Sequence, residues 1–220
     1  NQKKQDWTKF LEIIDPRPGE VILSGMDGYG APSQAIWETS NAKGFVPEIY
    51  ALDESPVQIA RANADFPQIP ADHRVNADMR RTPYDDGMFD TVVIKMGLHE
   101  VPKPDQVDIL REVRRILKPG GSILLSTHGY WYYHPTPNDY WRWTSAGLRK
   151  IVEQEGYQIN SFFGIMGLAA SGLQLLQDAI LLKLPKIMVP PFALLMQTGI
   201  RLFDKIHSQA QRNRDASVYI

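Results

Sequence analysis

From Glu20 to Asp53 the chain reads EVILSGMDGYGAPSQAIWETSNAKGFVPEIYALD. A short apolar run, a glycine-rich turn, a helical pattern and a second apolar run ending on a carboxylate follow one another. A chain folded this way places two parallel strands side by side and opens a nucleotide-sized crevice at their carboxyl ends, with bare backbone at the turn and Asp53 placed to meet a ribose. The turn, Gly25 to Gly30, is spaced G-x-x-G-x-G rather than G-x-G-x-x-G, so taken alone it reads equally well as a plain tight strand-to-helix turn. Glycine there permits positive φ and close approach of a ligand, and the next helix directs its amino terminus into the crevice.

The alternation of strand and helix patterns continues to about residue 157, which specifies a mostly parallel sheet covered by helices on both faces. Strands are expected at Glu20 to Ser24, Glu48 to Leu52, Arg74 to Ala77, Asp90 to Met96 and Ser122 to Thr127. Ser55 and Pro56 form a helix start. Between Asp105 and Lys118, Val107, Leu110, Val113 and Leu117 share one face, with Asp108, Glu112 and Arg115 outward and Gly120 and Gly121 closing the helix. The 24 basic and 25 acidic residues leave a net charge of −1, so no overall field favours nucleic acid. No cysteine is present, which excludes disulfides, thiolate metal sites and a cysteine nucleophile.

Two further carboxylates fall where a ligand would lie. Asp78 follows the third short strand and is placed to accept an adenine amine with Met79 on the ring; the plainer reading pairs it with Arg80 or Arg81. Asp90 opens the next strand. The blocks ALD, ADMRRTPYDDGMFDTVVIKMGLHEV and EVRRILKPGGSILLST resemble the class I S-adenosylmethionine-dependent methyltransferases, of the type 11-like group, over roughly residues 18 to 157. The resemblance implies an α/β fold: a Rossmann-like seven-strand sheet with its last strand antiparallel, helices on both faces, and an apolar C-terminal helical segment. It implies S-adenosyl-L-methionine as cofactor, with Gly28 and Gly30 beside its methionine part, Asp53 on the ribose, Asp78 and Met79 at the adenine, and Lys95 and Met96 along the crevice wall. Ser24, Gly25, Asp27 and Glu54 complete the expected cofactor set. Where the family usually carries an acid and a first glycine, this chain has Ser24 and Met26, and Asp27 is the candidate substitute for the acid.

The segment THGYWYYHPTPNDYWRWTSAGLRK is similar to the glycan- or surface-polysaccharide-associated subset of these enzymes. Tyr130, Trp131, Asp139, Tyr140 and Arg142 are the expected acceptor contacts, and flat rings suit a sugar or aryl face. Each ring taken alone reads more readily as loop packing against the sheet. Methyl transfer to a hydroxyl requires alignment and a base, for which His128 is preferred over His99 and His134. No metal site is expected.

The division is drawn at residue 160, with a cofactor-binding domain before it. In the extension over 161–220, Ser171, Gln174 and Asp178 mark a polar stripe on one apolar helix. On the next, Phe192, Leu195, Met196, Gly199, Leu202, Phe203 and Ile206 share a face, with Gln197, Arg201, Asp204 and Lys205 off it. This extension suits a cover over the sheet, a lid, a homodimer contact or peripheral membrane contact. A cytoplasmic chain, free or membrane-associated, is expected. The activity expected is O-methylation of a small-molecule, glycan or lipid-linked acceptor. A non-catalytic methyltransferase-like binding or scaffolding domain is the alternative.

Overall fold

The computed structural model describes residues 10–133 and 138–220, in two compact units, the first reaching Ser126 and the second running from Thr127 to Ile220. In the first, residues 10–14 are helical (α1). Four strands follow, β1 (Val21–Gly25), β2 (Glu48–Asp53), β3 (Arg74–Asn76) and β4 (Phe89–Lys95), before β5 (Leu117–His128), which crosses the division. Helices α2 (Ala31–Ala42), α3 (Pro56–Asp65) and α4 (Lys103–Ile116) intervene. All these strands pair in parallel, with Leu23 of β1 opposite Tyr50 of β2 on one side and Val92 of β4 on the other. Parallel strands covered on both faces need apolar side chains on both, and Ile22, Leu23, Val92, Val93 and Ile94 are fully buried.

The second unit holds α5 (Ser145–Gln154), β6 (Gly164–Gly167), α6 (Leu168–Leu181), α7 (Val189–Lys205), α8 (Gln209–Arg214) and β7 (Ala216–Tyr219). β7 runs antiparallel to β6 and to Thr127 and His128 of β5. The strand order is β3-β2-β1-β4-β5-β7-β6, the seven-strand mixed sheet with helices around it that the resemblance implied. β6 and β7 come from within residues 161–220, so that stretch contributes two strands to the sheet.

Two local expectations are corrected. α4 buries Gln106, Ile109, Leu110, Val113 and Ile116, a stripe shifted from the expected one, and this turns Glu112 and Arg115 under toward residues 82–86. The helix also ends without a glycine cap: Leu117 is already extended and pairs with Phe89, and the glycines lie within the irregular start of β5, Gly120 at φ +80°. Strand pairing captures the chain before a helical cap can form.

Candidate functional site

The turn after β1 is built around a buried acid. α2 starts at Gly30, which has no side chain to cap it, so the first-turn N–H groups need another acceptor. Asp27, only 3% exposed, supplies it: one carboxylate oxygen accepts the Ser33 N–H (3.0 Å) and the Ser24 hydroxyl (2.6 Å), and the other accepts the Ser33 hydroxyl (2.7 Å). Burial pushes the Asp27 pKa up to about 6, against the lowering effect of the serine hydrogen bonds. Asp27 is thus turned inward, and both its oxygens are engaged in fixing the turn.

That turn carries Gly28 and Gly30 in the left-handed region, φ +59° and +92°. At Gly28 a Cβ would meet nothing within 4 Å, so its backbone faces open space. Asp53, at the end of β2, accepts the Gly28 N–H through Oδ2 (2.8 Å) and the Ser55 N–H through Oδ1 (2.9 Å). One carboxylate therefore ties the glycine turn to the start of α3. A carboxylate has about four lone-pair directions, so this one keeps capacity for ribose hydroxyls. Glu54 follows it, exposed, at the start of the α3 turn.

Asp78 forms a forked ion pair with Arg80, whose other arm reaches Asp105 at the start of α4 (2.8 Å), and Arg80 holds the Asp78 carboxyl below its usual range. This is the plainer of the two pairings read from the sequence. Met79 is buried, its sulfur 2.7 Å from where a Cβ on Gly25 would lie, so the thioether packs directly on the glycine that ends β1.

The wall contributed by β4 ends on Lys95, with Nζ 5.7 Å from the centre of the Phe10 ring. Met96 follows at φ +61°, its N–H donated to the carbonyl (3.0 Å) and hydroxyl (3.2 Å) of Ser126. Met26, where the family usually has glycine, also adopts a left-handed conformation (φ +55°), and its side chain lies on Gly97, with Sδ 2.7 Å from the place of a Cβ there. A flexible thioether therefore bridges the turn after β1 and the turn after β4. His99 is buried in the turn Leu98–Glu100, which Gln106 of α4 anchors by donating to the carbonyls of Leu98 (2.9 Å) and Val101 (3.2 Å).

In the second unit, His128 closes β5 and stacks on Trp131 (5.4 Å, 6° between planes), which in turn stacks on Tyr132 (5.2 Å). Arg142 pairs with Asp139 and donates to the carbonyls of Trp131 (2.9 Å), Tyr132 (2.5 Å) and Trp141 (2.9 Å). Asp139 and Arg142 thus staple the aromatic loop, while Tyr130, Tyr132, Tyr133 and Tyr140 expose their rings. His134 lies outside the described residues. Among those residues no group of three or more carboxylate or histidine side chains could hold a metal ion.

Several residues of the site went unremarked in the sequence. Ser33 was legible in principle: a helix opening on glycine with serine in its first turn needs an acceptor upstream, and Asp27 lies there. Gln106 gave no such signal, because its partners Leu98 and Val101 depend on how α4 docks, and the second contact of Arg80, to Asp105, was hidden for the same reason.

Residues 28–125 match a family described as Methyltransferase domain. The demethylmenaquinone methyltransferase of Bacillus mycoides (strain KBAB4) is 28% identical over 126 residues, 56% of this chain and 51% of the relative. The chain thus spans about half the length of the curated relatives it matches. Among solved structures, a SAM dependent methyltransferase from Aquifex aeolicus superposes with a TM-score of 0.58 at 18% identity, covering 73% of this chain and 84% of that one. The cyclase SpnF superposes with a TM-score of 0.65 at 17% identity over 98% of this chain and 78% of its own. Likeness at such identities establishes the fold.

Proposed function

We propose, for a chain built on an S-adenosylmethionine-dependent methyltransferase domain at residues 28–125, that methyl transfer is its own activity and that the acceptor is a hydroxyl on a small glycan, lipid-linked or aryl molecule. The observation that carries the reading is the coupling of Gly28 to Asp53: an open glycine backbone held by a ribose-suited carboxylate at the ends of adjacent strands. Met79, buried beside Gly25, supplies an apolar surface suited to an adenine ring.

S-adenosylmethionine supplies an activated methyl group on a positively charged sulfur, so the protein's task is alignment and proton removal. The acceptor oxygen forms a bond to the methyl carbon as the carbon–sulfur bond breaks, the electron pair stays on sulfur, and the hydroxyl proton passes to a base. We assign that base to His128, an imidazole at the end of β5 oriented by its stack on Trp131. The exposed tyrosine rings at 130, 132, 133 and 140 offer flat faces for the acceptor.

Calorimetric titration with S-adenosylhomocysteine tests the first half, and release of that product with a panel of hydroxylated glycans, lipid-linked sugars and quinols tests the second. Saturable binding and His128-dependent turnover with one class are expected. Absence of saturable binding would refute the reading. A specific observation supports the alternative of a binding domain: Met26 covers Gly97, where the usual glycine would leave the crevice open. Absence of saturable cofactor binding favours that alternative.

A further inference from the structure

The two longest helices of the second unit are inside out. α6 and α7 pack together through side chains that a helix in water usually turns outward. Gln197 of α7 donates to Gln174 (3.2 Å) and Gln177 (2.9 Å) of α6, Gln174 donates to Asp178 (2.9 Å), and Ser171 is buried against the Met166 carbonyl. Beside this polar seam, among the described residues, Ile200, Met166 and Ala170 form a small buried apolar cluster with Ile165 and Leu173 packed against it. Several large aliphatic side chains face the other way. Leu194 and Leu195 are 72% and 70% exposed, Leu202 and Ile206 continue their stripe along α7, and Leu182 and Ile187 at the tip between the helices are 83% and 86% exposed. The stripe read from the sequence is present, with Leu195, Leu202, Phe203 and Ile206 exposed along it, and Gln197, read as lying off that face, meets α6.

An apolar stripe of this extent outside and a glutamine ladder inside is the polarity expected of helices whose outer medium is apolar. Charge identifies the medium. Between Asp178 and Asp204 the chain carries Lys183, Lys186 and Arg201 and no acidic residue. Lys183 and Lys186 lie exposed at the tip among Leu182, Ile187 and Met188, and among the described residues neither has an ion-pair partner. Lysines collaring exposed aliphatic side chains suit the headgroup boundary of an anionic bilayer. A second copy of this chain would bring the same basic tip against itself in a symmetric contact, or leave it unused. Crossing is not available: α6 and α7 have 14 and 17 residues, and no described helix is long and apolar enough to span. At 1.5 Å per residue they reach roughly 21 and 25 Å, against a hydrocarbon core of about 30 Å.

We propose that the α6–α7 hairpin seats this chain on the surface of an anionic membrane, with Leu182, Ile187 and Met188 dipping below the headgroups and Lys183 and Lys186 pairing with lipid phosphates. The proposal stands on the second unit alone and does not depend on methyl transfer. Its test is flotation of the full chain with phosphatidylcholine vesicles with and without phosphatidylglycerol, alongside sedimentation velocity without lipid. Binding should require the anionic lipid and weaken as salt rises. Lys183→Gln with Lys186→Gln should lower the partition coefficient about thirty-fold, from about 1 kcal/mol per lysine at such a surface. Leu182→Ser with Ile187→Ser should also abolish flotation; unchanged circular dichroism would show that both variants remain folded. Equal binding to neutral vesicles, indifference to the lysine substitutions, or a stable dimer that ignores vesicles and is split by Leu194→Asp would each overturn it, the last in favour of self-association.

Discussion

Asp27 gives the sharpest test of how the cofactor turn is built. Its carboxylate is buried and held by Ser24 and Ser33, and its pKa rises from 3.8 to about 6 because desolvation outweighs those hydrogen bonds and the charge of Arg74. At about 1.4 kcal/mol per unit, the gap is worth roughly 3 kcal/mol. The folded state holds this proton more tightly than the unfolded chain does. Folding therefore takes up protons between the two values, and stability falls as pH rises from about 4 to about 6, then stays level with the full penalty in place. Asp27→Asn removes the titration and can keep the network, since its amide oxygen accepts the Ser33 N–H and its NH2 donates to a serine hydroxyl. Urea unfolding of both proteins across this range should show the variant gaining on the parent by ~2–3 kcal/mol between about pH 4 and about pH 7. Subtracting the parent curve cancels the other carboxylates. A difference that does not vary with pH would mean that Asp27 ionises in contact with water, and the inward-turned acid would be wrong.

Four further outcomes follow from the same contacts. Asp53→Asn leaves the Gly28 N–H with a neutral acceptor and should weaken S-adenosylhomocysteine binding by one to two orders of magnitude in a calorimetric titration, about 1.5–3 kcal/mol for a charged hydrogen-bonding partner. Gly30→Ala sets a Cβ at φ +92° and 3.0 Å from the Ala62 Cβ, and should lower stability by ~1–3 kcal/mol in thermal unfolding. Glu112→Ala frees the Thr82 N–H and hydroxyl and removes the Arg115 partner; it should cost about 2–3 kcal/mol at neutral pH. Because Arg115 holds that carboxyl below its usual range, the deficit should shrink as the solution is acidified through it. Met26→Gly retains the left-handed turn and uncovers Gly97, so S-adenosylhomocysteine should bind at least as tightly as to the parent; weaker binding would make Met26 a ligand contact.

Most of the fold was legible because the signals that specify it are local. Ser55 with Pro56, and Thr144, start helices where such residues should, each accepting a first-turn N–H. Five parallel strands were marked by short apolar runs between turns. The misplaced end of α4 has a different cause: a glycine pair can cap a helix or relax a strand, and the choice fell to Phe89, whose pairing with Leu117 lies outside the local sequence. The site divides the same way. Asp53 and the glycines stand at the ends of strands marked by their own apolar runs, even though the Gly28–Asp53 bond joins two different turns, whereas Asp78 had two partners open to it. Which of them holds it depends on Arg80 spanning to Asp105, at the start of a helix more than twenty residues on.

The C-terminal helices show the limit of periodicity itself. A stripe of leucines at helical spacing fixes that the two faces of α7 differ, and both the sequence and the structure agree on that. It does not fix which face is inside, because that depends on what lies outside, and the usual inference assumes water. Here the inner seam is Gln174, Gln177 and Gln197, with the Gln197 amide donating to the other two, while Leu194, Leu195 and Leu202 are left to the surroundings. Leaving a large aliphatic side chain in water rather than burying it forgoes ~1.5–3 kcal/mol each. Three such residues on one face, with Leu182 and Ile187 at the tip beside Lys183 and Lys186, amount to a deficit comparable to the stability of a whole domain. Gln197 offers the direct check. Gln197→Leu removes the donor that joins the seam and adds apolar bulk, so it should destabilise the hairpin if α6 is its neighbour, by about 1–3 kcal/mol in unfolding experiments. If the leucine stripe instead packs on α6 and Gln197 faces out, the substitution should leave stability unchanged, and the inverted packing would be refuted.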